Sequence, residues 1–229
     1  MASRCIHCKN KAIPVWDTKS EKFKNLIAVC LDCFQTKEHH DYPYNYKELF
    51  SMNNFCFQTI HPATPVLFQQ TIESKLSQQM QSAWSSYDPS KSYLLHGVTG
   101  TGKTRTAWLM FNSAWMHYYP KNSEFLSMRK LEQKIEKGFS ENNHADVLDS
   151  LINCAVLCLD DLGKERLTQR METDLFAIID ERTNNNRPTI ITTNYNGSGL
   201  QERFNNSETG SAIVRRIKDY FKIYGATKE

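Results

Sequence analysis

From about residue 61 onward, apolar and polar positions fall into two alternating rhythms. SYLLHG (92–97) is a compact apolar run, which predicts a strand buried on both faces. KTRTAWLMFNSAWMHYY (103–119) repeats apolar residues at intervals of three and four, which predicts an amphipathic helix. Residues 69–85 carry a helical pattern too, and EFLSM (124–128) predicts a second strand. Residues 129–153 place apolar positions on helical spacing, with a break near Gly138. CAVLCLDDLG (154–163) is an apolar run that ends in two acids. METDLFAIIDERTNNN predicts another helix, stopped by Asn184 to Asn186 and Pro188. PTIITTN (188–194) is β-branched and predicts a strand. The tail predicts one or two helices and then a short strand at DYFKIYG. Strands that alternate with helices predict an α/β domain, a parallel sheet flanked by helices.

Before residue 61 the texture differs. Residues 1–35 are dense in Cys, Lys and polar residues, with too little apolar sequence for a core of their own. Residues 36–60 mix aromatics, His and Asn without periodicity and read as a linker. The expected organisation is a small module at 1–35, a linker at 36–60 and the α/β domain at 61–229.

Composition adds limits. At 229 residues and 40% hydrophobic content the chain can bury a sizeable core. A net charge of +3 is too mild to require a nucleic-acid partner. No apolar run approaches the length of a membrane span, and MASRCIHCKN has no apolar signal core. A cytoplasmic protein without a membrane partner is expected. Seven cysteines is an odd number, and four of them form two CxxC pairs. In a reducing compartment that pattern favours a metal over disulfides.

The first chemical motif follows the strand at 92–97. Gly97-x4-Gly102-Lys103-Thr104 matches GxxxxGK[ST] in full. Glycines let the backbone wrap inward so that its N–H groups face a phosphate. The next helix points its positive end at the anion. Lys103 is expected to span the β- and γ-phosphates, and Thr104 to hold Mg²⁺ through its hydroxyl. Gly100, Thr101 and Arg105 complete the expected nucleotide-contacting set. The second motif is AVLCLDD. Asp160 is expected to hold the Mg²⁺ shell, and Asp161 to act as the base that polarises the attacking water. Asn194, at the end of PTIITTN, can orient the same water, although Asn is common just after strands.

Taken together, HGVTGTGKTRTAW, VLCLDDLGKE, IIDERTNNNRPTIITTN and SAIVRRIKDY resemble the AAA+ ATPases of the DnaC/IstB type, the bacterial and phage helicase loaders. The resemblance covers roughly residues 60–229. It implies a P-loop AAA+ fold, ATP as the nucleotide, and hydrolysis that depends on Mg²⁺. It places Asn194 at the sensor-1 position. It places Arg216 where such loaders carry the arginine finger, with Arg215 as the adjacent alternative; without it, both would read as solvating a helix. An arginine suits that task because its fork matches phosphate oxygens and stays charged. Two departures stand out. Asp161 occupies a position where many AAA+ proteins have Glu. Gly225-Ala226-Thr227-Lys228 is the nearest match to a Gly-x-Ser-x-Arg sensor-2 element, with Lys in place of Arg. No separate helical lid domain is expected after the ATPase core.

Cys5-x2-Cys8 and Cys30-x2-Cys33 are separated by 21 residues. Four thiolates at such spacing suit a closed tetrahedral Zn²⁺ site in a zinc-ribbon-like module, and the residues between have room for a β-hairpin. His7, His39 or His40 can replace one thiolate. A redox CxxC would need a thioredoxin-like βαβ setting, which is absent. Cys56, Cys154 and Cys158 read as ordinary residues, the last two on a buried strand. Cations at residues 4–24, with Trp16 and Phe23 among them, suit single-stranded nucleic acid or a partner protein.

The functional expectation is a helicase loader that delivers a replicative DNA helicase to single-stranded DNA, self-associates through its ATPase domain and uses ATP hydrolysis as a release switch. The alternatives are a transposition-helper ATPase acting on duplex DNA, and a non-hydrolysing adaptor with ATP as a structural ligand.

Overall fold

The structure is a computed structural model that describes residues 13–16, 26–29, 61, 63–65, 76–118 and 122–226. The two CxxC pairs, the predicted linker at 36–60 and Lys228 lie outside the described residues. The chain divides into two compact units, Met1–Ile72 and Glu73–Glu229.

In the first unit, β1 (Ile13–Trp16) pairs with β2 (Leu26–Val29) in antiparallel register, Ile13 opposite Val29 and Trp16 opposite Leu26. The pair lies in sequence between the two CxxC pairs, where a hairpin was expected.

The second unit carries α1 (Gln78–Ser85), β3 (Ser92–Gly97), α2 (Lys103–Tyr118), β4 (Ser123–Ser127), α3 (Met128–Ser140), α4 (His144–Asn153), β5 (Val156–Leu162), α5 (Gln169–Asn184), β6 (Thr189–Thr193), α6 (Gly197–Gln201), α7 (Ser207–Tyr220) and β7 (Phe221–Ala226). Its five strands form one parallel sheet in the order β4-β5-β6-β3-β7. The α/β fold class read from the alternation is therefore present. The centre of the sheet is apolar on both faces, as parallel sheets covered by helices must be. Tyr93, Leu94 and Leu95 of β3 are buried, as is every residue of β6. The period of two sends these residues to opposite faces. Leu94, Leu157, Leu159 and Ile191 join the cluster formed with α3, α4, α5 and α7. On the other face α2 packs against β3, β5 and β6, and α1 packs on α2. There Trp108 of α2 stacks on Phe125 of β4 with centroids 3.6 Å apart. The amphipathic pattern expected for α2 gives way to burial of every residue from Arg105 to Ala114.

Several sequence boundaries move. The break expected near Gly138 comes at 141–143, because Gly138 packs inside α3 against α4, where a Cβ would meet Val147 Cγ2 at 3.0 Å. The run ending in Asp160 continues as strand through Asp161 to Leu162. Cys154 caps α4 rather than lying on β5, which starts at Val156.

Candidate nucleotide-binding site

Three strands deliver the site at their C-terminal ends. β3 ends in Gly97, whose φ of +133° is closed to ordinary residues. A Cβ there would lie 2.0 Å from the Ala226 carbonyl oxygen. That carbonyl accepts the Val98 N–H at 3.3 Å, so the last strand grips the base of the loop. Gly100 and Gly102 also hold positive φ, +92° and +91°. Within the loop, the Thr101 hydroxyl donates to the Val98 carbonyl at 3.0 Å. Lys103 opens α2, and Thr104 and the buried Arg105 follow on its first turn.

Lys103 is 6% exposed. Its ammonium donates to the Gly97 and Val98 carbonyls at 2.8 and 2.9 Å. An ammonium has three donors, and no ion pair to it forms among the described residues. Burial pulls its pKa below the ordinary lysine value, an effect that the charges of Asp161 and Asp160 partly oppose. A buried cation with a spare donor, inside a loop of inward-wrapping glycines, fits a phosphate group. Neighbouring His96 is pulled below its ordinary value by burial and by the Lys103 charge.

Asp160 lies on β5, opposite the first turn of α2. Its Oδ1 accepts the Thr104 hydroxyl at 3.0 Å and the Thr192 hydroxyl at 2.6 Å. Burial raises its pKa, while these two bonds and the nearby Lys164 charge oppose the rise. A carboxylate and a hydroxyl that meet in a half-dry site are hard oxygen donors of the kind Mg²⁺ takes. The residues present therefore fit both a phosphate and a magnesium ion.

The register of β5 against β6 shifts between Leu159 and Leu162. Within that irregularity Asp161 takes φ +66°, rare for a residue with a Cβ. In a regular strand, successive side chains point to opposite faces; a bulge re-aims them. The conformation is held from β6, where Thr192 Oγ1 accepts the Asp161 N–H at 2.9 Å. Thr192 thus fixes the Asp160 carboxyl and the Asp161 backbone together. It was missed in the sequence, where a threonine in ITT reads as ordinary β-propensity. Asp161 Oδ2 pairs with Lys164 at 3.0 Å.

Asn194 follows directly after β6 and is exposed. Arg216 lies on α7 and is turned toward its own subunit. It forms an ion pair with Asp180 of α5 and donates to Asn184 Oδ1 at 3.2 Å. Arg215 is exposed. Of the sensor-2 match, Gly225 and Ala226 belong to β7, and Gly225 leaves no room for a side chain beside His96; Thr227 and Lys228 lie outside the described residues. The four candidate zinc cysteines lie outside them as well. Among the described residues no cluster of three or more His, Cys, Asp or Glu side chains has a metal-holding arrangement.

A family model for IstB-like ATP binding proteins matches residues 47–225. No curated protein sequence matches the chain. Among solved structures, the DnaC helicase loader is similar at 26% identity and a TM-score of 0.53, over 64% of this chain and 85% of that one. DnaI is similar in fold at 20% identity and a TM-score of 0.56, over 71% of this chain and 94% of that one. AMPPCP-bound DnaA from Aquifex aeolicus shares the fold at 15% identity and a TM-score of 0.58, over 74% of this chain and 51% of its own. With the phosphate loop, the paired acids and the five-stranded parallel sheet in place, the chain belongs to the IstB-like ATP-binding proteins, AAA+ ATPases of the DnaC/IstB type.

Proposed function

We propose that this protein is a helicase loader that hydrolyses ATP and delivers a replicative DNA helicase to single-stranded DNA. The observation that carries the proposal is the likeness to the DnaC loader over 85% of that chain, joined to a buried lysine with a spare donor inside a glycine loop. Lys103 and the amides of Gly100 to Lys103 bind the triphosphate. Thr104 and Asp160 hold the magnesium ion, which, when bound, neutralises phosphate charge. Asp161 accepts a proton from the attacking water, and Asn194 orients that water. Arg216 reaches a neighbouring protomer's γ-phosphate once it leaves Asp180. ATP then favours self-association, and hydrolysis releases the partner.

Residues 1–35 are proposed to be a zinc module, with Cys5, Cys8, Cys30 and Cys33 as ligands. The antiparallel strands between the two CxxC pairs support that reading. No helix among the described residues is long and apolar enough to cross a membrane.

The test uses Asp161→Asn as an ATP-bound trap. The purified variant, with ATP and magnesium, is expected to retain a replicative helicase and to prefer single-stranded over duplex DNA. Retention of a transposase with a preference for duplex DNA would replace the loader by a transposition helper. Wild-type turnover at the level of the trap, with DNA and partner present, would reduce the protein to a non-hydrolysing adaptor.

A further inference from the structure

The turn after β5 holds a lysine that the ATPase machinery does not use. Lys164 Nζ lies 3.0 Å from Asp161 Oδ2, three residues back along the chain. An exposed pair of this kind is ordinarily worth little, because two long side chains must be ordered to make it. Here the backbone between the partners is already fixed. The Asp161 N–H is tied to Thr192 Oγ1, and the Lys164 N–H closes a turn on the Asp161 carbonyl at 3.2 Å. Gly163 takes φ +81°, and a Cβ there would meet Leu200 Cδ1 at 2.9 Å. Arg203, from the segment after α6, donates to the Gly163 carbonyl at 2.7 Å and to the Lys164 carbonyl at 3.2 Å. Its guanidinium also lies 5.2 Å from the centre of the Tyr195 ring, on the residue after Asn194. Only the two side chains remain to be ordered.

We propose that Lys164 is a positioning residue that restrains turnover, by holding the Asp161 carboxylate as its counter-ion and drawing it away from the attacking water. The inference rests on the reading of Asp161 as the water-polarising base. The physical reason is direct. An ammonium 3.0 Å from one carboxylate oxygen holds that carboxylate toward Lys164. It also occupies an oxygen that the water needs. The Lys164 side chain is 63% exposed and the Asp161 side chain 32%, so mobile ions reach the pair and screen it. The restraint is thus one that solution conditions or an approaching anion can relax. Arg203 supports it by keeping the turn in place.

The experiment is steady-state ATP turnover by the full chain, for wild type and for Lys164→Gln, Lys164→Arg and Lys164→Gln combined with Asp161→Asn. Lys164→Gln is expected to raise kcat by about 1.4- to fivefold, the range an exposed ion pair can supply, with KM for ATP unchanged. Wild-type kcat rises with added salt while that of Lys164→Gln does not. Lys164→Arg returns kcat toward wild type, because it restores the cation. Lys164→Gln has no effect once Asp161 is Asn, since the two residues act through one contact. A kcat for Lys164→Gln at or below wild type, with ATP binding intact, overturns the restraint. An equal gain in the Asp161→Asn background overturns it too, because Lys164 would then act elsewhere. The base reading fails separately, if Asp161→Asn alone keeps wild-type turnover.

Discussion

Lys103 and Arg182 are buried cations at opposite ends of one sheet, and they are satisfied in different ways. Arg182, at 0% exposure, spends every side-chain nitrogen on the protein. Its Nε donates to Thr189 Oγ1 at 2.9 Å, one terminal nitrogen to the carbonyls of Leu151, Ile152 and Cys154, and the other to the Pro188 carbonyl at 2.6 Å. Two of those carbonyls belong to the last turn of α4, whose C-terminal oxygens have no partner within the helix. Arg182 is therefore a rivet between α4, α5 and β6. Lys103 has only two carbonyls, a spare donor and two carboxylates close enough to feel. Burial pulls both cations below their ordinary pKa, so burial alone does not mark a binding site. Unfilled hydrogen-bonding capacity does.

The largest expected effect is on the rivet. Arg182→Ala strands several buried carbonyls and should cost about 3–5 kcal/mol of stability, the scale for removing one partner of a buried charged network. Thermal or denaturant unfolding checks this. A loss below about 1 kcal/mol would erase the contrast with Lys103. Thr192→Val removes hydrogen bonds to Asp160 and to the Asp161 amide. It should lower turnover by roughly tenfold, at a cost of about 1–2 kcal/mol in stability. A drop in stability with turnover unchanged would make Thr192 a sheet residue only. Raising the pH should move two observables in opposite directions. The Lys103 pKa lies below 10.5 in the folded chain, so the unfolded chain holds more protons between that lowered value and 10.5. In that window Lys103 makes stability rise with pH, while ATP affinity falls as the ammonium is lost. Calorimetric titration across the window, with Lys103→Arg as the control that stays charged, reads the second effect. Asp180→Ala removes the cis partner of Arg216 and should produce the smallest change. Stability moves by less than about 1 kcal/mol, and ATP-dependent association occurs at a severalfold lower protein concentration. Weaker association would show that the ion pair supports the interface rather than competing with it.

Much of the nucleotide site was legible because its chemistry is local. A strand, a glycine loop and a helix come in one stretch, and the roles proposed for Lys103 and Thr104 rest on that spacing. The alternation of β3, α2, β5, α5 and β6 was legible for the same reason. What was not legible depends on contacts far apart in sequence. Thr192 reaches Asp160 across 32 positions, and Arg182 reaches Leu151 across 31. Nothing in ERTNNNRPT distinguishes a buried rivet from a charge on a helix surface. Glu172 is likewise fully buried and holds the Asn205 and Asn206 amides ahead of α7 at 2.5 and 3.0 Å, though its sequence surroundings read as an exposed first turn. The resemblance implies a neighbour-facing role for Arg216, but not Asp180 as its partner within the chain.

Isothermal titration of ATP with magnesium into wild type and Lys103→Ala tests the unfilled cation most directly. The account predicts one site per chain in wild type, no measurable heat in the variant, and thermal stability in the variant equal to or above wild type. Equal binding in both, or a variant that unfolds as Arg182→Ala is expected to do, would contradict it.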